Sequence, residues 1–259
     1  MDHDRGELYV RALALPGALA GAYLAVAAMP GPVRMLSMWV HESGHAAAAW
    51  VTGFAAFPGP WFTPVELERS PLVTLLVAGA LAAGVYRAWQ AGRWFWFLSA
   101  NALLLLSLLG TFALHPLSAR QLIVFGGDGG CFVLGSVLML TMYSRADHPV
   151  RHEHLRWAFL VFGALAFMDA RATWFGGVGA IPFGEDERGF SDPSVLTELY
   201  GWSVPALVGR YEQLAKACFV VLAGAYAAGV WATLAAGRDA ATESTPSSSP
   251  RSYRTASTR

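Results

Sequence analysis

A pentapeptide in the first fifth of the chain has the residue types and spacing of a metal-dependent hydrolase. His41 and His45 are four residues apart, so on a helix both imidazoles project from one face and can bind a single Zn²⁺ ion. Glu42 is then placed to accept a proton from water as a general base. The run His41-Glu42-Ser43-Gly44-His45 therefore predicts metal-assisted hydrolysis, with two metal ligands and one catalytic carboxylate.

A catalytic zinc site usually has three protein ligands and one open position, so a third ligand is needed. Asp128 is the leading candidate, because a carboxylate inside an apolar segment is costly and is functional by default. The glycines at 126, 127, 129 and 130 let another helix or an extended substrate approach closely. The alternative is a glycine-rich packing face whose aspartate is paired with a neighbouring helix.

Both stretches lie in a chain with the composition of an integral membrane protein. Hydrophobic residues make up 55% of the 259 positions and charged residues only 14%, against about 25% charged residues in a soluble domain. We predict an all-α fold, a polytopic bundle of about seven transmembrane helices, with a membrane domain over 1–236 and a disordered polar tail over 237–259. The predicted spans are 8–29, 33–56, 71–90, 93–115, 122–143, 155–175 and 212–236.

The positions of the candidate ligands within these spans place them at similar depth. His41 and His45 are about 12–18 Å into the second span at 1.5 Å per residue. Asp128 is about 9 Å into the fifth, which runs in the opposite direction, and is therefore about 21 Å from the first face of a ~30 Å core. We expect the three side chains to lie within reach of one another.

The membrane-embedded His41-Glu42-Ser43-Gly44-His45, followed by Asp128-Gly129 in a later span, resembles the site-2 protease family of intramembrane zinc metalloproteases. The resemblance covers these two stretches and suggests a distant member or a sister family. It implies that His41, His45 and Asp128 bind Zn²⁺, that Glu42 is the base, and that the substrate is a membrane-spanning protein. It also implies a multi-pass protein of a lipid bilayer, expected to be the inner membrane of a bacterium, with no nucleic-acid partner.

Two other functions fit parts of the pattern. Ionisable groups in the spans also suit a membrane transporter, and a catalytically inactive relative with a regulatory role would keep the same residues. Asp169 is either a helix-packing group or a carboxylate that orients a histidine. The long connection 176–210 is expected to cap the domain or gate a substrate path, and Glu185 or Asp186 could reach a metal from it.

Overall fold

In the computed structural model the chain is predominantly helical, and the structure describes residues 2–144, 148–152, 154–186 and 189–243. Seven helices of 19 residues or more dominate it. In chain order the helices are α1 (Asp2–Ala28), α2 (Pro30–Val51), α3 (Pro71–Gln90), α4 (Trp94–Phe112), α5 (Pro116–Leu140), the short α6 (Pro149–His152), α7 (Leu155–Phe175), the short α8 (Asp192–Ser194) and α9 (Val204–Glu243).

Two small antiparallel hairpins connect the helices. The first follows α2 and pairs β1 (Phe54–Ala56) with β2 (Val65–Arg69). The second lies between α7 and α8 and pairs β3 (Glu185–Asp186) with β4 (Gly189–Phe190). A single turn of π-helix over Val195–Leu199 follows α8 and leads toward α9.

The predicted second span, 33–56, was wrong at its C-terminal end. The helix stops at Val51, and the residues from Phe54 onward form a strand. Gly53 explains the stop, because its φ of +82° is a left-handed conformation that ends helices and that side chains rarely adopt. The Thr52 backbone N–H bonds back to the carbonyl of Ala48, which satisfies one of the last free carbonyls of the helix.

In the described part of the chain six segments are long and apolar enough to cross a membrane, so the prediction of a multi-pass helical protein is confirmed. These are Gly6–Ala28, Pro71–Gln90, Trp94–Phe112, Pro116–Tyr143, Leu155–Phe175 and Val204–Ala236. Helix α2 is not one of them, since Arg34 and the histidine motif lower its hydropathy. Seven spans therefore stay a prediction.

The C-terminal boundary predicted at 237 falls inside a helix. Backbone helix α9 continues through 237 and ends at Glu243. The predicted tail beyond that point, 244–259, lies outside the described residues.

Helices α2, α5 and α7 form the interior layer that carries the candidate site. Gly44 of α2 packs so closely on α5 that a Cβ there would lie 2.1 Å from the carbonyl oxygen of Gly126 and 2.7 Å from Cα of Gly130. Gly135 and Gly163 provide the same close approach between α5 and α7. Small residues at these positions let the helix backbones touch, as is typical of packing between membrane helices.

Candidate metal centre

The two histidines of the pentapeptide meet at their Nε2 atoms. Helix α2 places His41 and His45 one turn apart, and their Nε2 atoms are 3.1 Å from each other. Each ring is held through its other nitrogen. Nδ1 of His45 is 2.7 Å from the carbonyl oxygen of Ile123, and Nδ1 of His41 is 3.0 Å from Oδ1 of Asp128. Both rings are therefore oriented by α5.

Asp192 brings a carboxylate oxygen to the same point. Its Oδ2 is 3.1 Å from Nε2 of His41 and 3.1 Å from Nε2 of His45. Asp192 is the first residue of α8, which is anchored by the fully buried Ser194 and by Leu196 in the next turn. The three donor atoms thus form an equilateral triangle with sides of 3.1 Å.

The protonation of this triangle follows from its outer contacts. A carbonyl oxygen only accepts hydrogen bonds, so Nδ1 of His45 carries a proton, and an ionised Asp128 requires the same of His41. In neutral rings both Nε2 atoms then present lone pairs to each other and to Asp192. Protonating both rings would satisfy Asp192 but leave two N–H groups 3.1 Å apart. A metal ion accepts all three lone pairs at once.

The dimensions of the cluster fit zinc. With metal–nitrogen distances of 2.0–2.1 Å, ligand atoms in a tetrahedral site are about 3.3 Å apart, close to the sides of the triangle. The space beside it is kept free by Gly127, where a Cβ would lie 2.5 Å from Nε2 of His41 and 2.6 Å from Nε2 of His45. Two imidazoles and one carboxylate form a common catalytic zinc ligand set.

The carboxyl group of Asp192 is suited to bind a cation. Burial raises the pKa of this carboxyl, but with protonated rings and no bound metal the charge of His45 and the hydrogen bonds from both rings lower it by more. The pKa of Asp192 therefore lies below its usual range, and the group is a carboxylate at neutral pH.

Asp128 lies beside the histidines, as its predicted depth required. It contacts the Nδ1 side of the His41 ring, whereas Asp192 contacts the Nε2 side. Oδ1 of Asp128 contacts Nδ1 of His41, and its Oδ2 accepts a hydrogen bond of 2.8 Å from the indole N–H of Trp174. In the described part of the chain, Asp128 shares a potential ligand group with His41 and Cys131, not with His45. A carboxylate bound to the outer nitrogen of a histidine typically orients that ring toward a metal.

Glu42 lines a cavity of ≈ 550 Å³ together with His41, His45 and Asp192. The residue is only 4% exposed, and no group in residues 2–144, 148–152, 154–186 or 189–243 forms a hydrogen bond or ion pair with its carboxylate. Thr63 donates a hydrogen bond of 2.9 Å to the Glu42 carbonyl oxygen, which brings the first hairpin segment back along α2. The Glu42 carboxylate is thus buried and has no partner in the described part of the chain.

Large apolar side chains form much of the cavity wall. Residues of the first hairpin and of the segment before α8 both line it. The apolar residues that line it include Met38, Trp61, Phe62, Val65, Phe183 and Phe190. The two histidines, Glu42 and Asp192 therefore share one cavity with several large apolar side chains.

Asp169 packs against α2 without contacting a histidine. It accepts hydrogen bonds from Ser37 Oγ and from Arg34 Nη1, the latter at 3.1 Å. Arg34 Nη1 is also 3.9 Å from Oδ1 of Asp128, so one guanidinium links the two carboxylates. Of the two roles predicted for Asp169, the structure supports helix packing.

The sequence predicted the motif and its neighbour Asp128 but missed Asp192. Asp192 lies within the long connection 176–210 that was expected to be functional, yet Ser191-Asp192-Pro193 carries only a helix-start signal. Glu185 of the same connection lines the cavity but belongs to neither described ligand group, and the side chain of Asp186 is outside the described part.

Comparisons with models of known protein families, with curated proteins and with solved structures found no match to this chain.

Proposed function

We propose that this chain is a membrane-embedded, zinc-dependent endopeptidase. The observation that carries the proposal is the triangle of His41 Nε2, His45 Nε2 and Asp192 Oδ2. Beside it Glu42, whose carboxylate has no partner among the residues that the structure describes, lines the adjoining cavity. Two imidazoles and a carboxylate can hold a metal ion, and a separate buried glutamate can serve as the base, which together suit metal-assisted hydrolysis of an amide. The residues agree with the site-2 protease resemblance except at the third ligand, which we assign to Asp192.

The protein groups have distinct tasks in the proposed reaction. A zinc ion held by the three donors would polarise the scissile carbonyl and lower the pKa of water. Glu42 accepts a proton from the attacking water and passes it to the amide nitrogen as the C–N bond breaks. The carbonyl oxygen of Ile123 and the carboxylate of Asp128 keep the two imidazoles oriented throughout.

The size of the cavity suits a short stretch of substrate. One turn of α-helix, about 5.4 Å long and 10–12 Å wide, occupies roughly 500 Å³, which would fill the whole cavity. Amides inside a helix are also engaged in their own hydrogen bonds, so a scissile amide must leave the helix to reach the site. The apolar wall suits the side chains of a membrane-spanning segment.

The test compares Glu42→Gln with Ser43→Ala in the full-length protein. Ser43 lies within the motif, but its hydroxyl bonds to the carbonyl of Trp39 rather than to the site, so it is a matched control. Both proteins should contain one zinc per chain, and membranes that express Ser43→Ala should contain cleaved peptides that are missing with Glu42→Gln. Zinc-free wild-type protein, or identical cleavage by the two variants, would remove the assignment. Zinc loading without any cleavage product would favour a regulatory or transport role.

A further inference from the structure

A second layer of residues surrounds the proposed ligands, and one of them is a tryptophan that no motif identifies. Trp174 lies near the end of α7 and is 2% exposed. Its indole N–H donates to Oδ2 of Asp128, whose Oδ1 contacts Nδ1 of His41. An unbroken chain of contacts therefore leads from α7 through α5 to a proposed metal ligand on α2.

The indole is fixed by stacked rings from two other helices. Its ring centroid is 3.9 Å from that of Tyr211 on α9, at an interplanar angle of 23°. Tyr211 stacks in turn on Phe125 of α5 at 4.1 Å, and its hydroxyl donates to the Phe125 carbonyl oxygen. Packing between α5, α7 and α9 thus fixes the direction in which the indole N–H points.

The chemistry of the indole also controls which oxygen of Asp128 can carry a proton. An indole N–H is only a donor, so Oδ2 must accept. A proton on Oδ1 would instead point at Nδ1 of His41 and force that ring into the tautomer with a proton on Nε2, which cannot bind a metal. With Asp128 ionised, Nδ1 of His41 donates to Oδ1 and the lone pair on Nε2 of His41 faces the cluster.

We infer that Trp174 is a positioning residue for the metal centre, acting through Asp128 to hold His41 in its ligating tautomer and orientation. This inference rests on the proposed function, since it concerns the same site. Outer partners of ligating histidines typically contribute 10–100-fold to metal affinity. We therefore expect loss of the indole N–H to weaken zinc binding by about tenfold.

The experiment measures zinc affinity in full-length Trp174→Phe, Asp128→Ala and the double variant. If Trp174 acts through Asp128, Trp174→Phe weakens binding in the wild type but has no further effect in Asp128→Ala. A purely structural role would reduce affinity by the same factor in both backgrounds, which would overturn the inference. Unchanged affinity in Trp174→Phe would overturn it as well.

The matched control is Trp157→Phe, the same change on the same helix at a residue whose ring contacts Arg156 rather than a carboxylate. It should bind zinc like the wild type. If Trp174→Phe does not fold, benzothienylalanine at position 174 keeps the ring shape and removes only the N–H, with the same expected result. Absence of zinc from the wild-type protein contradicts the proposed function; zinc in the wild type with no coupling to Asp128 contradicts this inference alone.

Discussion

The two sides of the His41 ring present different environments to two carboxylates. On the Nε2 side, Asp192 comes from the connection after α7, faces the cavity and has a side chain 29% exposed. On the Nδ1 side, Asp128 comes from the middle of α5 and is 6% exposed, with both oxygens engaged. In the proposed site the two carboxylates therefore have different roles. The more accessible Asp192 binds the metal, and the buried Asp128 orients the ligand His41.

The strongest test of these two roles is to remove the carboxylate of Asp192, on the Nε2 side of the His41 ring. Structural zinc sites bind with about 10–16 kcal/mol over four ligands, so loss of one ligand costs on the order of 3 kcal/mol. We expect Asp192→Ala to weaken zinc binding roughly a hundred- to a thousand-fold, measured by competition with a chelator. Glu185→Ala, in the same connection and lining the same cavity, should bind normally. Normal binding by Asp192→Ala together with zinc loss in Asp128→Ala would instead make Asp128 the third ligand.

A methyl group placed beside the two Nε2 atoms tests sterically whether the metal binds on this side of the His41 ring. In Gly127→Ala the new Cβ would lie within 2.6 Å of both Nε2 atoms, so the rings or the helices must shift. Overpacking of this kind costs about 1–3 kcal/mol, and we expect zinc affinity to fall by up to about a hundred-fold. Gly129→Ala is the control, since its Cβ would approach side chains of Phe125 and Leu214 at 3.3–3.5 Å. Equal zinc affinities in the two variants would place the metal elsewhere.

Removal of the carboxylate on the Nδ1 side should have an intermediate effect. Asp128→Ala leaves the three proposed ligands in place but frees the His41 ring, so we expect zinc affinity to fall about 10–100-fold. The bound Co²⁺ form should keep a tetrahedral absorption spectrum, which reports an intact ligand set. Wild-type affinity in this variant would remove the orienting role of Asp128.

The smallest effect is expected for Asp169, one layer further out. Its ion pair with Arg34 involves a guanidinium that is 35% exposed, and partly exposed pairs contribute about 0–1 kcal/mol. We expect Asp169→Asn to change zinc affinity less than about fivefold, measured by the same competition assay. A larger loss of zinc affinity would show that Asp169, on α7, also helps to orient His41, acting through Arg34.

Features that depend on the spacing of nearby residues could be predicted from the sequence, whereas features that depend on the path of a long connection could not. The i, i+4 spacing fixes His41 and His45 on one face of any helix, and the depth argument correctly brought Asp128 beside them. Asp192 is positioned by the path of a long connection, which no residue spacing encodes. The first hairpin was hidden because Phe54 to Phe57 continues the apolar run of α2, and Gly53 was the only local sign of a break.

The contact between His41 and Asp192 joins residues 151 positions apart in the chain. Such a contact can form only after α3, α4, α5 and α7 have been synthesised, so the proposed site would be assembled late in biogenesis. A nascent chain that ends before residue 192 would carry the complete histidine pentapeptide without the proposed metal centre. Under the proposed function, this order of assembly would keep the chain from cutting its neighbours until most of its own helices have been made, and zinc would stabilise only the late, nearly complete fold.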